Sequence, residues 1–263
     1  MRTTLSDLKR WHKERQPIAV LTCYDASFAR LLEANGVDVL LIGDSLGMVL
    51  QGHDSPNPVS LEDIAYHTRA VVRGSQRCFI LADMPFGTSQ ISPQETFRNA
   101  AYLIQSGAHM VKIEGGLEMV ETVQFLTERG IPVCAHIGMT PQSHHQYGGF
   151  KVQGRDSDHA DRILNAAKAL ETAGAGIILM ECIPRELADR VCAAVQIPTI
   201  GIGASPQCSG QVLVLHDVIG LSPEPLAKLA KNYSKGSEGI AEMVKRYVQE
   251  VKTRVFPGEE HCY

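Results

Sequence analysis

The sequence predicts an α/β fold: a (β/α)8 barrel formed by one domain over residues 1–263, with an extra N-terminal helix. Eight short apolar runs, helical stripes between them and regular turn punctuation predict it. The runs lie at 18–22, 39–42, 79–82, 110–113, 133–135, 177–180, 199–202 and 212–215. Being apolar almost throughout, they suit strands buried on both faces, as in a parallel sheet. Between them, Ile163, Ala166, Ala167 and Leu170 follow an i, i+3, i+4, i+7 stripe. Ile240, Met243, Val244, Tyr247, Val248 and Val251 make a longer stripe, and Phe28, Leu31 and Leu32 a shorter one. Asn35-Gly36, Ser106-Gly107, Gly130-Ile131-Pro132, Ala173-Gly174 and Ile197-Pro198 separate helical stretches from the next run. Strand and helix alternating in this way imply right-handed crossovers, and eight units favour closure. An open doubly wound sheet is the alternative.

Residues 6–16 are expected to form the extra helix, capped by Ser6, stopped by Pro17 and lying under the barrel floor. The last two runs begin only thirteen residues apart, so the seventh helix is expected to be short, with Ser209 able to cap it.

Composition narrows the function. Lys+Arg number 25 against Asp+Glu 29, a formal net charge of -4, with the signs interspersed. Nucleic acid and anionic membranes call for a concentrated basic face, so neither is an expected partner. No apolar run is long enough to span a bilayer, and residues 1–16 carry no signal-peptide core. The seven cysteines include no CxxC pair and read as reduced thiols in the cytoplasm.

In such a barrel the chemistry sits where the strands end. Strand two runs into Gly43-Asp44-Ser45, strand three into Asp83, strand five into His136 and strand six into Glu181; strand four carries Lys112 and ends in Glu114. Strand eight is expected to end at His216-Asp217. Any one of these residues could simply cap a helix. Together they put four carboxylates on one rim, where they repel unless a cation sits among them. Asp44, Asp83 and Glu114 offer only oxygen ligands, which suits Mg²⁺. Lys112 and Glu114 share one side of strand four, and the lysine reads as an anion clamp. His136 either orients a water or touches substrate. Gly201-Ile202-Gly203 is either a phosphate cradle or close packing. His144-His145 and Gly148-Gly149 lie in a loop long enough to act as a lid, the histidines solvated rather than metal-bound.

Several strings resemble one family. Gly43-Asp44-Ser45-Leu46-Gly47-Met48, Leu81-Ala82-Asp83-Met84-Pro85-Phe86, Val111-Lys112-Ile113-Glu114-Gly115-Gly116 and His136-Ile137-Gly138-Met139-Thr140-Pro141-Gln142 are similar to the signature of ketopantoate hydroxymethyltransferase. Gln51-Gly52-His53-Asp54-Ser55, the 148–155 segment and Pro257-Gly258-Glu259-Glu260-His261 fit it too. The resemblance implies transfer of a hydroxymethyl group from 5,10-methylenetetrahydrofolate to 3-methyl-2-oxobutanoate, giving 2-dehydropantoate, through a Mg²⁺-stabilised enolate. Carried over residue by residue, it implies Asp44 and Asp83 as Mg²⁺ ligands, with Glu114 ligating directly or through water. It implies Ser45, Asp44, Asp83 and Lys112 as substrate contacts, Glu181 as the catalytic base, and a homodecamer. The chain departs from the pattern at Ser205, usually Gly, and at Ser209, usually Asp, so no ligand contact is assigned there. The rival readings are a Mg²⁺-dependent 2-oxo acid aldolase or lyase of the phosphoenolpyruvate mutase and isocitrate lyase kind, and a barrel that only binds a ligand. Folate-dependent turnover separates the first, and metal-dependent turnover the second.

Overall fold

The computed structural model describes residues 1–223 and 225–263. At its centre eight parallel strands close into a barrel in chain order. They are β1 (Ile18–Thr22), β2 (Val39–Ile42), β3 (Phe79–Asp83), β4 (Met110–Glu114), β5 (Val133–Gly138), β6 (Ile177–Glu181), β7 (Thr199–Ile202) and β8 (Gly210–Leu213). The first seven predicted runs fall inside these strands. The eighth overlaps only at Val212 and Leu213. Pairing of β8 with β1, from Ile18↔Gly210 to Leu21↔Leu213, excludes the open sheet. Closure leaves no room at that seam: a Cβ on Gly210 would lie 2.3 Å from the Ile18 carbonyl oxygen.

The helices are α1 (Leu5–Lys13), α2 (Ala26–Ala34), α3 (Leu46–Val49), α4 (Leu61–Gly74), α5 (Pro93–Gln105), α6 (Val120–Thr127), α7 (His144–Tyr147), α8 (Ser157–Thr172), α9 (Arg185–Ala194), α10 (Leu215–Val218) and α11 (Ile240–Lys252). Their apolar stripes face the barrel. In α8, Ile163, Ala166, Ala167 and Leu170 are buried as the spacing predicts. In α11, Val244, Tyr247 and Val251 are buried. The Tyr247 hydroxyl lies 2.8 Å from Val20 O and 2.9 Å from Gln211 O, so α11 covers the seam where the barrel closes.

Strand register brings the polar residues together. Asp83 pairs with Lys112, Glu114 with His136, and Gly138 with Glu181. Because side chains alternate between faces, Lys112 and Glu114 share the inner face with these neighbours. A one-residue slip would turn each of them outward.

Five expectations need correction. The N-terminal helix is capped by Thr4 rather than Ser6. The Thr4 hydroxyl accepts from Asp7 N, and Asp7 reaches back to the Thr4 backbone. This capping box needs an acid three residues after the cap; Thr4 has Asp7, whereas Ser6 has Lys9. The helix ends at Lys13, short of Pro17, where Arg15 takes φ 57. It does lie under the floor, with Leu5 packed at Gly176 before β6 and His12 Nδ1 2.7 Å from Ser209 Oγ before β8.

Among the described residues no helix separates β7 from β8; residues 203–209 return through turns. Ser209 therefore caps nothing. Its hydroxyl accepts from Thr199 N at 3.1 Å, tying the start of β8 to the start of β7. His216 and Asp217 sit on α10, beyond the end of β8. The glycines of β7 serve packing rather than phosphate: a Cβ on Gly201 would lie 2.9 Å from Cys208 Sγ, and one on Gly203 2.5 Å from Leu229 Cβ.

One knot holds the early βα units. Glu33 Oε2, at the end of α2, accepts from Ser75 Oγ at 2.6 Å and from the backbone N–H groups of Gln76, Arg77 and Cys78 at 2.9, 2.6 and 3.1 Å. Burial pushes its carboxyl up, but these donors outweigh burial and hold it down at about 2. A folded-state value below the usual 4.5 contributes stability above pH 4.5, lost as pH falls toward 2. Discounted for partial exposure, the contribution is on the order of 2 kcal/mol. Urea unfolding of Glu33→Gln at pH 7 should show about that loss, and the difference from the parent should shrink between pH 4.5 and 2. An equal loss at both ends would mean that ionisation of Glu33 contributes nothing.

Candidate active site

A pocket of about 360 Å³ opens at the C-terminal ends of the strands. One half is polar, lined by Asp44, Ser45, Asp83, Lys112, Glu114, His136 and Glu181. The other half is apolar, with Leu179, Ile202, Val212, Leu213 and Leu229. Every site residue predicted from the sequence lines this one cavity.

Lys112 stands at the centre. Its Nζ lies 3.3 Å from Asp83 Oδ1, 3.7 Å from Glu114 Oε1 and 3.1 Å from His136 Nδ1. Burial favours its neutral form, but Asp83, Glu114 and Asp44 outweigh burial and keep it protonated. Burial pushes Asp83 and Glu114 up, with Lys112 opposing. Glu181 is pushed up to about 7 by burial, Lys112 opposing and Asp44 adding. His136 is held well below its ordinary range by burial and by Lys112, so its imidazole is neutral. An ammonium only donates, so His136 Nδ1 is the acceptor and the ring proton is on Nε2. Nε2 faces Glu181 Oε2 at 3.3 Å.

Asp44 is placed by backbone and amide contacts. Its N–H donates to Asp83 Oδ2 at 2.9 Å, and Gln142 Nε2 donates to its Oδ2 at 2.8 Å. Gln142 N donates to Glu114 Oε2 at 3.0 Å. Ser45 Oγ lies 2.9 Å from the buried Tyr24 hydroxyl. Gln142 and Tyr24 were not singled out in the sequence. Gln142 closes one of the family-like strings, which was its one signal; Tyr24 had none.

The residues fit a hard divalent cation. Asp44, Asp83, Glu114 and Glu181 face a single lysine, and Asp83 Oδ1 and Glu114 Oε1 are buried without an aligned hydrogen bond. Among the described residues no three His, Cys, Asp or Glu side chains form a ready metal cage. Glu114 is instead engaged by Gln142, Lys112 and His136. Two aspartates with water is a donor set that suits Mg²⁺ and leaves positions for a chelating substrate.

The mouth is partly covered. Phe150, from the long loop after β5, lines the pocket and stacks on His144 with centroids 5.6 Å apart. His144 Nδ1 lies 2.9 Å from Pro141 O, so this histidine braces the loop. Tyr263 also lines the pocket.

A closed parallel barrel with an oxygen-rich rim and a separately buried carboxylate defines an enzyme site for a small anionic substrate. The chain belongs to the ketopantoate hydroxymethyltransferase family, whose model matches residues 2–259. It is 56% identical over 263 residues to a 3-methyl-2-oxobutanoate hydroxymethyltransferase from Nitrosospira multiformis, covering 100% of both chains. It is 56% identical to the protein of that name from Azoarcus sp., over 99% of this chain and 96% of the relative. Among solved structures, a phosphonomutase-like protein from Burkholderia cenocepacia aligns with TM-score 0.62 at 16% identity, over 80% of this chain and 91% of the other. A phosphonopyruvate hydrolase complexed with oxalate and Mg²⁺ aligns with TM-score 0.61 at 13% identity, over 81% of each. At such identities these two show the fold alone. Ser209, where the chain departs from the family pattern, lies at the floor end of β8, opposite the pocket.

Mg²⁺ added to chelator-treated protein should raise Tm, by about 2.7 kcal/mol of stability at a hundredfold excess over Kd. Asp44→Asn and Asp83→Asn should each abolish the rise. An unchanged rise in both variants would place the cation elsewhere.

Proposed function

We propose that this enzyme transfers a hydroxymethyl group from 5,10-methylenetetrahydrofolate to 3-methyl-2-oxobutanoate, forming 2-dehydropantoate. The observation that carries the reading is the separation of two kinds of carboxylate around Lys112. The Asp83 carboxylate accepts the Asp44 N–H, which holds the two aspartates side by side. Glu181 forms no ion pair with Lys112 within 4 Å among the described residues and lies against His136 instead.

Asp44 and Asp83, with Glu114 through water, are the residues that would hold Mg²⁺. When bound, the ion supplies Lewis-acid polarisation of the substrate's keto group. Lys112 provides a fixed positive charge for the substrate anion, and Ser45, oriented by Tyr24, a hydrogen bond. The branched alkyl end of the substrate fits the wall of Leu179, Ile202 and Val212. Glu181 removes the proton from C3, and its raised value near 7 suits a general base at neutral pH. His136, neutral, holds its Nε2 3.3 Å from that carboxylate without an aligned hydrogen bond, so a small shift of Glu181 would let the N–H donate to it. C3 then forms a bond to the methylene carbon of the folate. Both C–N bonds of that carbon break, one water supplies the hydroxyl, and the proton taken from C3 and the proton released by water end on the two nitrogens of the departing tetrahydrofolate.

The resemblance further supports a homodecamer in the cytoplasm, built from single-domain subunits. Among the described residues no helix is long and apolar enough to cross a membrane.

Loss of the C3 proton signal of 3-methyl-2-oxobutanoate in D₂O, followed by NMR, tests the reading. Exchange should require Mg²⁺ and proceed without folate; 2-dehydropantoate should appear only when methylenetetrahydrofolate is added. Exchange with no folate-dependent product would favour the lyase rival. Glu181→Gln should slow exchange at least about 10²-fold while leaving the oxo acid bound. Near-normal exchange in that variant would assign the base to another group. The base acts ionised, so the exchange rate should rise with pH through about 7, with bound Mg²⁺ moving that limb to lower pH.

A further inference from the structure

The folate is far larger than the oxo acid. The inner pocket, about 360 Å³, lies at the small end of the range that drug-sized ligands occupy, and the oxo acid takes part of it. A second cleft of about 640 Å³ opens beside it. Glu114 lines both. Gln142 stands between them: buried, it donates to Glu114 Oε2 through its backbone and to Asp44 Oδ2 and Met84 O through its side chain. One ordered side chain thus separates the outer cleft from the carboxylates of the inner pocket.

The outer cleft has two characters. Its floor is apolar, with Met119, Ile163 and Ala166 all buried. Its rim carries Arg162, which is exposed and forms no salt bridge among the described residues, feeling only a longer-range attraction to Asp156. Of the two acids that line the cleft, Glu118 accepts the Gly116 N–H at 2.7 Å and Glu114 accepts the Gln142 N–H at 3.0 Å. The cleft exists because the segment between β5 and α8 is long; a plain βα turn would not build its wall.

We propose that this cleft binds the aminobenzoyl-glutamate arm of the folate, the aromatic ring on the apolar floor and a tail carboxylate on Arg162. The inference rests on the functional reading above. A guanidinium free of salt bridges among the described residues, at the edge of a mixed cleft with an apolar patch at Met119, Ile163 and Ala166, matches an aromatic ring that ends in carboxylates. In a folate the transferable carbon lies between the pterin and the aminobenzoyl ring. An arm seated in the outer cleft therefore brings that carbon to the Gln142 partition and leaves the pterin over the inner mouth. There Phe150, half exposed and stacked on His144 by one face, offers its other face.

Steady-state kinetics of Arg162→Ala, Arg162→Glu and Arg162→Lys test this. Arg162 is on the surface, so the variants should fold. The KM for methylenetetrahydrofolate should rise about ten- to a hundredfold in Arg162→Ala, further in Arg162→Glu, and recover in part in Arg162→Lys. The KM for the oxo acid and the folate-free C3 exchange should stay at parental values. Lengthening the glutamate tail should tighten binding to the parent more than to Arg162→Ala. An unchanged folate KM in both Arg162→Ala and Arg162→Glu, with transfer intact, would overturn the assignment of the cleft and leave the function standing. A parent protein that exchanges no C3 proton would overturn the function, and this inference with it.

Discussion

The site is organised around one buried positive charge. Lys112 is almost fully enclosed, yet four carboxylates reach the same cavity. At an effective dielectric constant near 20, opposite charges about 3–4 Å apart attract by roughly 4–5 kcal/mol, and the acids together keep the buried lysine protonated. Removing one member of such a set costs about 3–5 kcal/mol, because the other is left buried and unpaired. One lysine does not balance four acids, however. Burial leaves Asp83, Glu114 and Glu181 biased toward protonation. The excess of acid over base would be relieved by protonation or by a bound cation.

That imbalance lets chemically similar carboxylates take different roles. Asp44 and Asp83 are locked together through a backbone N–H, and Glu114 is tied to the partition at Gln142. Among the described residues Glu181 has one ion-pair-distance neighbour, the neutral His136. Burial raises Asp83 and Glu114 as well as Glu181, so what sets Glu181 apart is its partners rather than its proton affinity: it accepts none of the hydrogen bonds that fix the other two. The next residue, Cys182, has φ 46, a conformation unusual outside glycine. Two backbone hydrogen bonds hold it, from its N–H to Ile202 O and from Gln153 N–H to its own carbonyl. The chain thus turns sharply just after Glu181, the proposed base.

Much of this was legible before any coordinates. Strands buried on both faces must be apolar, so polar residues at their ends stand out, and Asp83, Glu114, His136 and Glu181 did. They prove to be members of the strands themselves, in β5 with two further residues beyond His136. The misplaced features were those where local and distant contacts compete. Ser209 looks like a helix cap by residue type, but its partners are Thr199, ten residues away, and His12, across the floor. Strand β8 begins at Gly210 because only a glycine lets it approach β1, a constraint that hydrophobic patterning does not register. Thr4 was readable from its acid three residues on; Ser6 drew attention only by its type.

By itself the sequence determined the barrel, the rim on which the chemistry sits and the hard-ion character of the donors. Those follow from periodicity and from the identities of residues that end apolar runs. Tertiary structure alone decided which acids contact which partners. It placed Gln142, nearly a hundred positions from Asp44, against that carboxylate. It fixed the tautomer of His136 through Lys112, and it opened the outer cleft across the Glu114 wall. Closing a barrel brings residues far apart in the chain to within hydrogen-bonding distance, and the resulting burial, not residue type, sets the charge each one carries.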